Sequence, residues 1–222
     1  MSNNVFLVKN GVKQSVPENY FKGLDITFNG DGNTVTIVDG YSFNNFHIMV
    51  SGGGGNSIYI NIGADIKNTS ILMSTPVNNR RVNIGKNFCC NGAMLTLPES
   101  GNRIEIGNNC MFSFGIQLRT EDGHAIYDIT TKQLINKGGS CIIGNHVWVC
   151  CNVLFMKNTF LNDNSIAAAG ALITKKFTET NVIVGGNPAK VIKTNVNWDR
   201  KSAEQYAKDC EAQNLKGGHI LE

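Results

Sequence analysis

The chain has 222 residues and a formal net charge of +3, which is too small to predict nucleic-acid binding. Hydrophobic residues make up 41% of it, enough for the core of one ordinary domain. No stretch approaches the roughly 20 apolar residues of a membrane span, and no basic amphipathic segment predicts membrane-surface binding. The first residues also lack the charged-then-apolar layout of a secretory signal peptide.

The seven cysteines do not predict a disulfide framework. Their number is odd, and two pairs, 89–90 and 150–151, are adjacent in sequence. Neighbours in a strand point to opposite faces, so adjacent cysteines suit separate small side chains better than a disulfide. No Cys-x-x-Cys pair predicts a structural zinc site. We therefore expect reduced cysteines and a cytoplasmic protein.

Residues 1–34 are predicted to be a lead-in that caps the first turn of a repeating domain. From there apolar residues recur at six-residue spacing in three separate runs: Ile37, Phe43 and Met49; Ile84 and Cys90; and Ile106, Phe112 and Leu118. Ile62, Ile84 and Ile106 each begin a turn and lie 22 residues apart, which is three sixes plus a short excursion. Turn-forming sequences at 51–56, 74–79 and 98–102 supply these excursions.

A single long insertion, at about 119–139, precedes the strictest part of the repeat. There, every sixth residue is apolar, and a second row four residues later is small or β-branched. The two rows are Ile143, Val149, Phe155, Leu161, Ala167 and Ile173, and Val147, Val153, Thr159, Ser165 and Ala171. Six fits neither the helical period of 3.6 nor the strand period of 2. It fits short strands joined by tight corners, three to a turn, whose inward residues stack into ladders.

The repeat ends near Pro188, and residues 199–215 are polar and free of Gly and Pro, which predicts a helix. The predicted organisation is therefore a cap at 1–34, a repeat domain at 35–193 and a helical extension at 194–222. An ordinary β-sandwich with coincidental spacing is the alternative, and so many positions in register argue against it.

Three segments make the chain resemble the hexapeptide-repeat acyltransferases, in the branch that O-acetylates sugars and bacterial polysaccharides. They are the array at 143–173, the loop sequence Asp-Gly-His-Ala-Ile-Tyr-Asp at 122–128 followed by Asn136 and 143–148, and the segment 170–192 with its Asn-Pro-Ala-Lys ending. The resemblance covers about residues 35–193. It implies an all-β, left-handed parallel β-helix with a protruding loop, a short C-terminal helix and assembly as a homotrimer. Cys150 and Ala168 depart from the family, because glycine is usual at both positions.

The resemblance implies transfer of an acetyl group from acetyl-CoA to a sugar hydroxyl. This reaction needs a base that accepts the proton of the hydroxyl. Histidine suits that task because its pKa of about 6.5 leaves a large neutral fraction near neutral pH. Of His47, His124, His146 and His219, only His124 lies in the insertion, and it matches the base of the family. His146 is predicted to be structural.

Several other residues are predicted to contact the substrates. Asp122 and Tyr127 are candidates for the acceptor, although Asp122 or Asp128 would alternatively orient the His124 imidazole or cap the loop. Trp148 follows an inward residue and should point outward. It is a second catalytic candidate, as an N–H donor and a flat wall for the thioester or sugar, and the alternative is a subunit contact. The expected acetyl-CoA contacts are Trp148, Ala168, Gly170, Thr174, Lys175, Asn187 and Lys190, which combine cations, amides and close-approach positions.

The expected partners are a sugar or polysaccharide acceptor and further copies of the chain, with no nucleic acid, membrane or metal. Three other functions use the same fold pattern. An N-acetyltransferase of amino sugars would use a similar base. A γ-class carbonic-anhydrase-like protein would bind zinc, and the missing three-histidine spacing argues against it. A non-catalytic β-solenoid scaffold would leave the His124 loop unexplained.

Overall fold

A computed structural model describes residues 2–217, which form 22 strands and one helix. The first strands are β1 Asn4–Lys9, β2 Val12–Ser15, β3 Leu24–Asn29, β4 Thr34–Val38, β5 Ser42–Ser51, β6 Ser57–Ile60, β7 Asp65–Met73, β8 Arg81–Ile84, β9 Cys89–Cys90, β10 Ala93–Thr96 and β11 Arg103–Ile106. The later elements are β12 Met111–Phe112, β13 Ile116–Arg119, β14 Cys141–Ile143, β15 Trp148–Val149, β16 Leu154–Phe155, β17 Thr159–Leu161, β18 Ile166–Ala167, β19 Leu172–Ile173, β20 Lys176–Phe177, β21 Ile183–Gly186, β22 Ala189–Lys193 and α1 Ala203–Gly217.

Parallel pairing between successive coils builds three faces around one core. Face 1 contains β1, β4, β6, β8, β11, β14, β17 and β20, with β2 antiparallel at its edge. Strand β7 contributes to both other faces, because residues 65–66 pair with β9 while residues 70–72 pair with β10. Face 2 continues through β9, β12, β15, β18 and β21, and face 3 through β10, β13, β16 and β19.

The two rows of the strict repeat form the interior of the C-terminal coils, as predicted. All eleven side chains from Ile143 to Ile173 in these rows are at most 2% exposed. The hydroxyls of the two polar members are satisfied by the backbone: Ser165 donates to the Asp163 carbonyl at 3.1 Å and Thr159 to the Met156 carbonyl at 2.6 Å. Burial of these small hydroxyl groups at the corners therefore leaves no orphaned donor.

Two assignments in the N-terminal coils are wrong. Met49 is 37% exposed and points outward, because β5 turns its corner at Asn45 (φ 53°) and thereby places Phe46 and Ile48 inside. Ile62 is 46% exposed, and it is Ile60, two residues earlier, that pairs with Ile84. The sequence spacing was misleading here because these coils have longer strands and corners of different length from the strict repeat.

Each coil has three corners, and they differ in regularity. The ladder corner joins face 1 to face 2, and the middle corner joins face 2 to face 3. The loop corner joins face 3 back to face 1, and all the predicted excursions at 51–56, 74–79 and 98–102 lie there. The long insertion lies at the same corner, between β13 and β14.

The two ends of the chain add to this repeat. The predicted lead-in at 1–34 contributes β1 and β3, which already pair in parallel with β4 and β5 of the next coil. At the other end, residues 194–202, here termed the C-terminal arm, return to the ladder corner, where the Asn181 side chain donates to the Val196 carbonyl at 3.1 Å. Helix α1 follows and begins at Ala203 because the Ser202 hydroxyl accepts the Gln205 N–H at 3.2 Å.

Candidate active site

The long insertion is an ordered loop with its own small hairpin. A backbone bridge pairs Tyr127 with Leu134, and the Ile135 N–H donates to the Ile126 carbonyl at 2.9 Å. Asp128 caps the turn at the tip, accepting the Thr131 N–H at 2.7 Å. The hydrogen bond from the Thr131 N–H is the largest cause of a lowered pKa at Asp128. The loop therefore has a defined shape although it projects from the coil.

His124 lies near the base of this loop, beside a cavity of about 140 Å³. The side chains around that cavity are mostly acidic or amide groups: Glu99, Glu121, Asp122 and Asn136. The His124 backbone is held, since its carbonyl accepts the Asn136 amide at 2.8 Å, but its side chain is exposed. An imidazole in this position is accessible to a substrate, as a general base must be.

The carboxylates of Asp122 and Asp128 contact other groups and not the His124 ring. Asp122 accepts hydrogen bonds from the Lys157 ammonium and, at 3.0 Å, from the Asn136 amide. The hydrogen bond from Lys157 is the largest cause of a lowered pKa at Asp122. Asp128 is occupied at the loop tip. In the single chain, the side chains of Asp122 and Asp128 thus shape the loop.

Trp148 lies on face 2, away from His124. It points outward as predicted and lines a groove of about 620 Å³ between face 2 and α1. The other aromatic side chains of this groove are Trp198, whose ring centroid is 6.1 Å from that of Trp148, and Tyr206. His146 stacks on Trp198 with centroids 4.4 Å apart, which is a structural contact. The described chain does not bring Trp148 and His124 together.

The predicted coenzyme contacts fall into two groups near the C-terminal end of the coils. Ala168 and Gly170 lie at the middle corner, and the turn between β21 and β22 carries Asn187 beside them, with Lys190 on β22. Thr174 and Lys175 lie instead at the loop corner, between β19 and β20, and are exposed. Only the second group shares a corner with the His124 loop.

Tyr127 lies in the outer part of the loop and is 54% exposed. Four further apolar side chains of the loop are exposed in the single chain, namely Ile126 52%, Ile129 80%, Leu134 45% and Ile135 65%. So many exposed apolar side chains within one loop are typical of a contact surface.

Two curated proteins of known activity match part of the chain. A polysialic acid O-acetyltransferase of Escherichia coli O1:K1 / APEC is 35% identical over 100 residues, covering 45% of this chain and 32% of the relative. A polysialic acid O-acetyltransferase of Neisseria meningitidis is 32% identical over 92 residues, covering 41% of this chain and 43% of the relative. The matches thus span less than half of either relative. No family model matches the chain.

Solved structures extend the similarity to the whole fold. The polySia-specific acetyltransferase NeuO superimposes with a TM-score of 0.77 and 26% identity, covering 97% of this chain and 94% of that one. The polysialic acid O-acetyltransferase OatWY gives a TM-score of 0.69 and 28% identity, covering 86% and 98%. The chain shares the fold of these two acetyltransferases. The predicted fold class, a left-handed parallel β-helix with a protruding loop and a short C-terminal helix, is confirmed.

The motifs of the hexapeptide-repeat acetyltransferases did not reveal every residue around His124. Glu99 and Lys157 come from corners distant in sequence, whereas Glu121 lies at the start of the loop itself and Asn136 was noted only as part of a motif. The signal available for Lys157 was its register, because it lies at the loop corner one coil after the insertion. Trp198 could not be placed at all, since no repeat extends to the C-terminal arm.

Within residues 2–217, no helix combines the length and the hydrophobicity that crossing a bilayer requires. Nor do three or more His, Cys, Asp or Glu side chains of that part of the chain come together in a group able to hold a metal ion. His219, the fourth histidine, lies outside the described residues.

Proposed function

We propose that this protein transfers an acetyl group from acetyl-CoA to a sugar hydroxyl of a bacterial polysaccharide or its precursor. The observation that carries the proposal is His124, an exposed imidazole on an ordered loop of a fold shared with polysaccharide O-acetyltransferases. Its position beside a cavity leaves room for an acceptor hydroxyl to approach the ring.

In this mechanism His124 accepts the proton of the acceptor hydroxyl as the oxygen attacks the thioester carbonyl. The resulting imidazolium then protonates the departing thiolate, so the histidine ends neutral and ready for another cycle. Lys175 and Lys190 would bind the anionic end of the donor, and Thr174 and Asn187 would add hydrogen bonds. Ala168 and Gly170 would allow close approach of the pantetheine arm, with Asp122 and Tyr127 near the acceptor.

A homotrimer with active sites between neighbouring copies is part of the proposal. Two observations support it: five apolar side chains of the loop are exposed, and His124 and Trp148 lie on different parts of one chain. A head-to-tail contact that closes on itself forms a ring. In such a ring, the loop of one copy would face Trp148 of the next. The cytoplasm is the proposed compartment, because each of the seven cysteines is a free thiol.

A specific observation also favours a second acceptor class. The carboxylates of Glu99, Glu121 and Asp122 line the cavity beside His124, and such groups bind an ammonium group well. N-acetylation of an amino sugar is therefore the second candidate, with the same base and donor. The acceptor panel of the test must contain both kinds of sugar.

The test measures release of free coenzyme A with polysialic acid, neutral glycans and amino sugars as acceptors. His124→Ala should lower kcat by about 10²–10⁴-fold, the usual contribution of a general base, with folding intact by circular dichroism. His47→Ala is the matched control, since His47 lies on β5 in an N-terminal coil. Near-wild-type kcat in His124→Ala would contradict the role of His124 as general base. A monomeric mass by light scattering would contradict active sites shared between copies.

A further inference from the structure

A lysine from the neighbouring coil joins the two ends of the His124 loop, near residues 122 and 136, here termed the neck of the loop. Lys157 lies at the loop corner between β16 and β17, and its ammonium group donates to the Asp122 carboxylate and, at 2.7 Å, to the Asn136 carbonyl. Asp122 is at the start of the loop and Asn136 near its end, so one cation joins both strands of the neck. The Lys157 side chain is only 18% exposed, which sets it apart from the solvated lysines around it.

Asn136 carries this connection to His124 itself. Its amide nitrogen donates to Asp122 at 3.0 Å and to the His124 carbonyl at 2.8 Å. Its amide oxygen accepts the Ile126 N–H at 2.8 Å. The backbone from the His124 carbonyl to Ile126 is therefore held by one side chain, which in turn shares the Asp122 carboxylate with Lys157.

The position of the imidazole depends on this network. The His124 side chain is exposed, whereas its backbone belongs to the network around Asn136. Charge-assisted hydrogen bonds of partly buried groups are stronger than neutral ones, so Lys157 contributes more than an exposed ion pair would. A base displaced by about 1 Å from its productive position can lose on the order of 10²-fold in rate.

We propose that Lys157 is a positioning residue that fixes the His124 loop on the coil and thereby places the imidazole for proton transfer. This inference rests on the proposed function, in which His124 is the general base. Lys157 acts through Asp122 and Asn136 and does not itself touch the reacting atoms. Its contribution lies outside the core, because the coil interior is formed by the inward apolar rows.

Three variants test the proposal in the full-length protein. Lys157→Met removes the ammonium group and retains much of the side-chain volume, and Lys157→Arg keeps a cation. Lys137→Met is the matched control, because Lys137 is an exposed lysine next to Asn136 and its removal changes the net charge equally. Each variant is compared for kcat, for the KM of acetyl-CoA, for Tm, and for amide hydrogen exchange of residues 122–136.

The expected result for Lys157→Met is a fall in kcat of about 10- to 100-fold with the KM of acetyl-CoA and the Tm nearly unchanged, and faster exchange in the loop. Lys157→Arg should recover part of the rate, and Lys137→Met should match the wild type.

Unchanged kcat in Lys157→Met would overturn the proposal, as would a lower kcat without any change in loop exchange. A large drop in Tm would assign Lys157 to folding instead. If the wild type consumes no thioester with any acceptor, the proposed function fails. Amide hydrogen exchange then tests Lys157 independently of activity. Faster exchange of residues 122–136 in Lys157→Met supports its role in fixing the loop, and unchanged exchange refutes it.

Discussion

The ladder corner and the loop corner solve the same problem, turning the chain between two faces, in different ways. At the ladder corner every coil from β4 onward places one residue in the left-handed region, with φ between 52° and 87°: Gly40, Gly63, Asn87, Asn109, His146, Asn164 and Asn181. At the loop corner the connections vary from a few residues to the long insertion. Uniform backbone conformation holds one corner, and individual side chains hold the other.

The backbone of the ladder corner satisfies its own hydrogen bonds. The Asn109 N–H donates to the Lys86 carbonyl of the preceding coil at 2.7 Å, and the His146 N–H donates to the Asn108 carbonyl at 2.7 Å. Asparagine and glycine tolerate positive φ better than other residues, which explains their repetition. A corner of this kind cannot change length without breaking the stacked pattern.

The loop corner relies on buried cations instead. Arg80 is fully buried and donates to the carbonyls of Leu97 at 2.9 Å and Val77 at 3.1 Å, to that of Ser51, and to the Asn56 side chain at 3.0 Å. Burial lowers the pKa of its guanidinium to about 10, so it stays charged near neutral pH. Irregular connections leave carbonyl groups that no strand pairs; Arg80 donates to three of them, and Lys157 donates to one, that of Asn136 in the long insertion.

The largest effect is expected from Arg80→Met. It leaves several buried carbonyl and amide oxygens without donors, each costing about 1–3 kcal/mol, so unfolding free energy should fall by at least about 3 kcal/mol. Urea unfolding measures it. Arg81→Met is the matched control, because Arg81 is the exposed neighbour on β8, and it should change stability by less than about 0.5 kcal/mol. Equal losses in the two variants would remove the distinction between the corners.

A smaller effect is expected at the ladder corner. Asn109→Ala puts a residue that disfavours positive φ at φ 59°, at a cost of about 1 kcal/mol, and also removes the hydrogen bond from the Asn87 amide at 3.0 Å. Asn109→Gly loses only the side-chain bond and should be the more stable of the two. Chemical denaturation of both separates the contributions. An alanine variant as stable as the glycine variant would mean that φ does not limit this corner.

The smallest effect on global stability is expected from His146→Asn. Asparagine fits the ladder at φ 52°, but the ring that stacks on Trp198 is lost, together with the contact of its Nε2 to the Trp198 carbonyl at 3.1 Å. The two changes oppose each other, so unfolding free energy should change by less than about 1 kcal/mol while the C-terminal arm loosens. Hydrogen exchange at residues 197–200 and tryptophan fluorescence report the arm. His47→Asn serves as the control, and an arm as protected as in the wild type would contradict the expected role of His146.

These comparisons also explain what sequence could predict. The strict repeat at 143–173 was assigned correctly because its coils have short strands and uniform corners, so the inward positions follow from counting by six. Met49 and Ile62 were misassigned where longer strands cross a corner and break the count. The helix was predicted from Asp199 and begins at Ala203, where Ser202 provides the cap.

The same division applies to the candidate site. His124 was found because it stands alone in an insertion with a recognisable motif. Lys157 and Glu99 were missed because their contacts with the loop join residues far apart in sequence, which no local pattern encodes. Asp122 was expected to face the acceptor or the histidine, and only the three-dimensional contacts reveal that Lys157 binds it. Which residues contact donor and acceptor stays a prediction.

All excursions lie at the loop corner, so the connections there can differ in length without changing the geometry of the coils. At Gly54 and Gly101, both in loop-corner connections, an added Cβ atom would meet nothing within 4 Å. Sequence gained or lost there leaves the stacking of the three faces in register, whereas one residue added at the ladder corner would shift every strand behind it. During divergence this edge of the molecule is thus where new segments can be acquired at little cost to folding, and where a reporter peptide is best inserted.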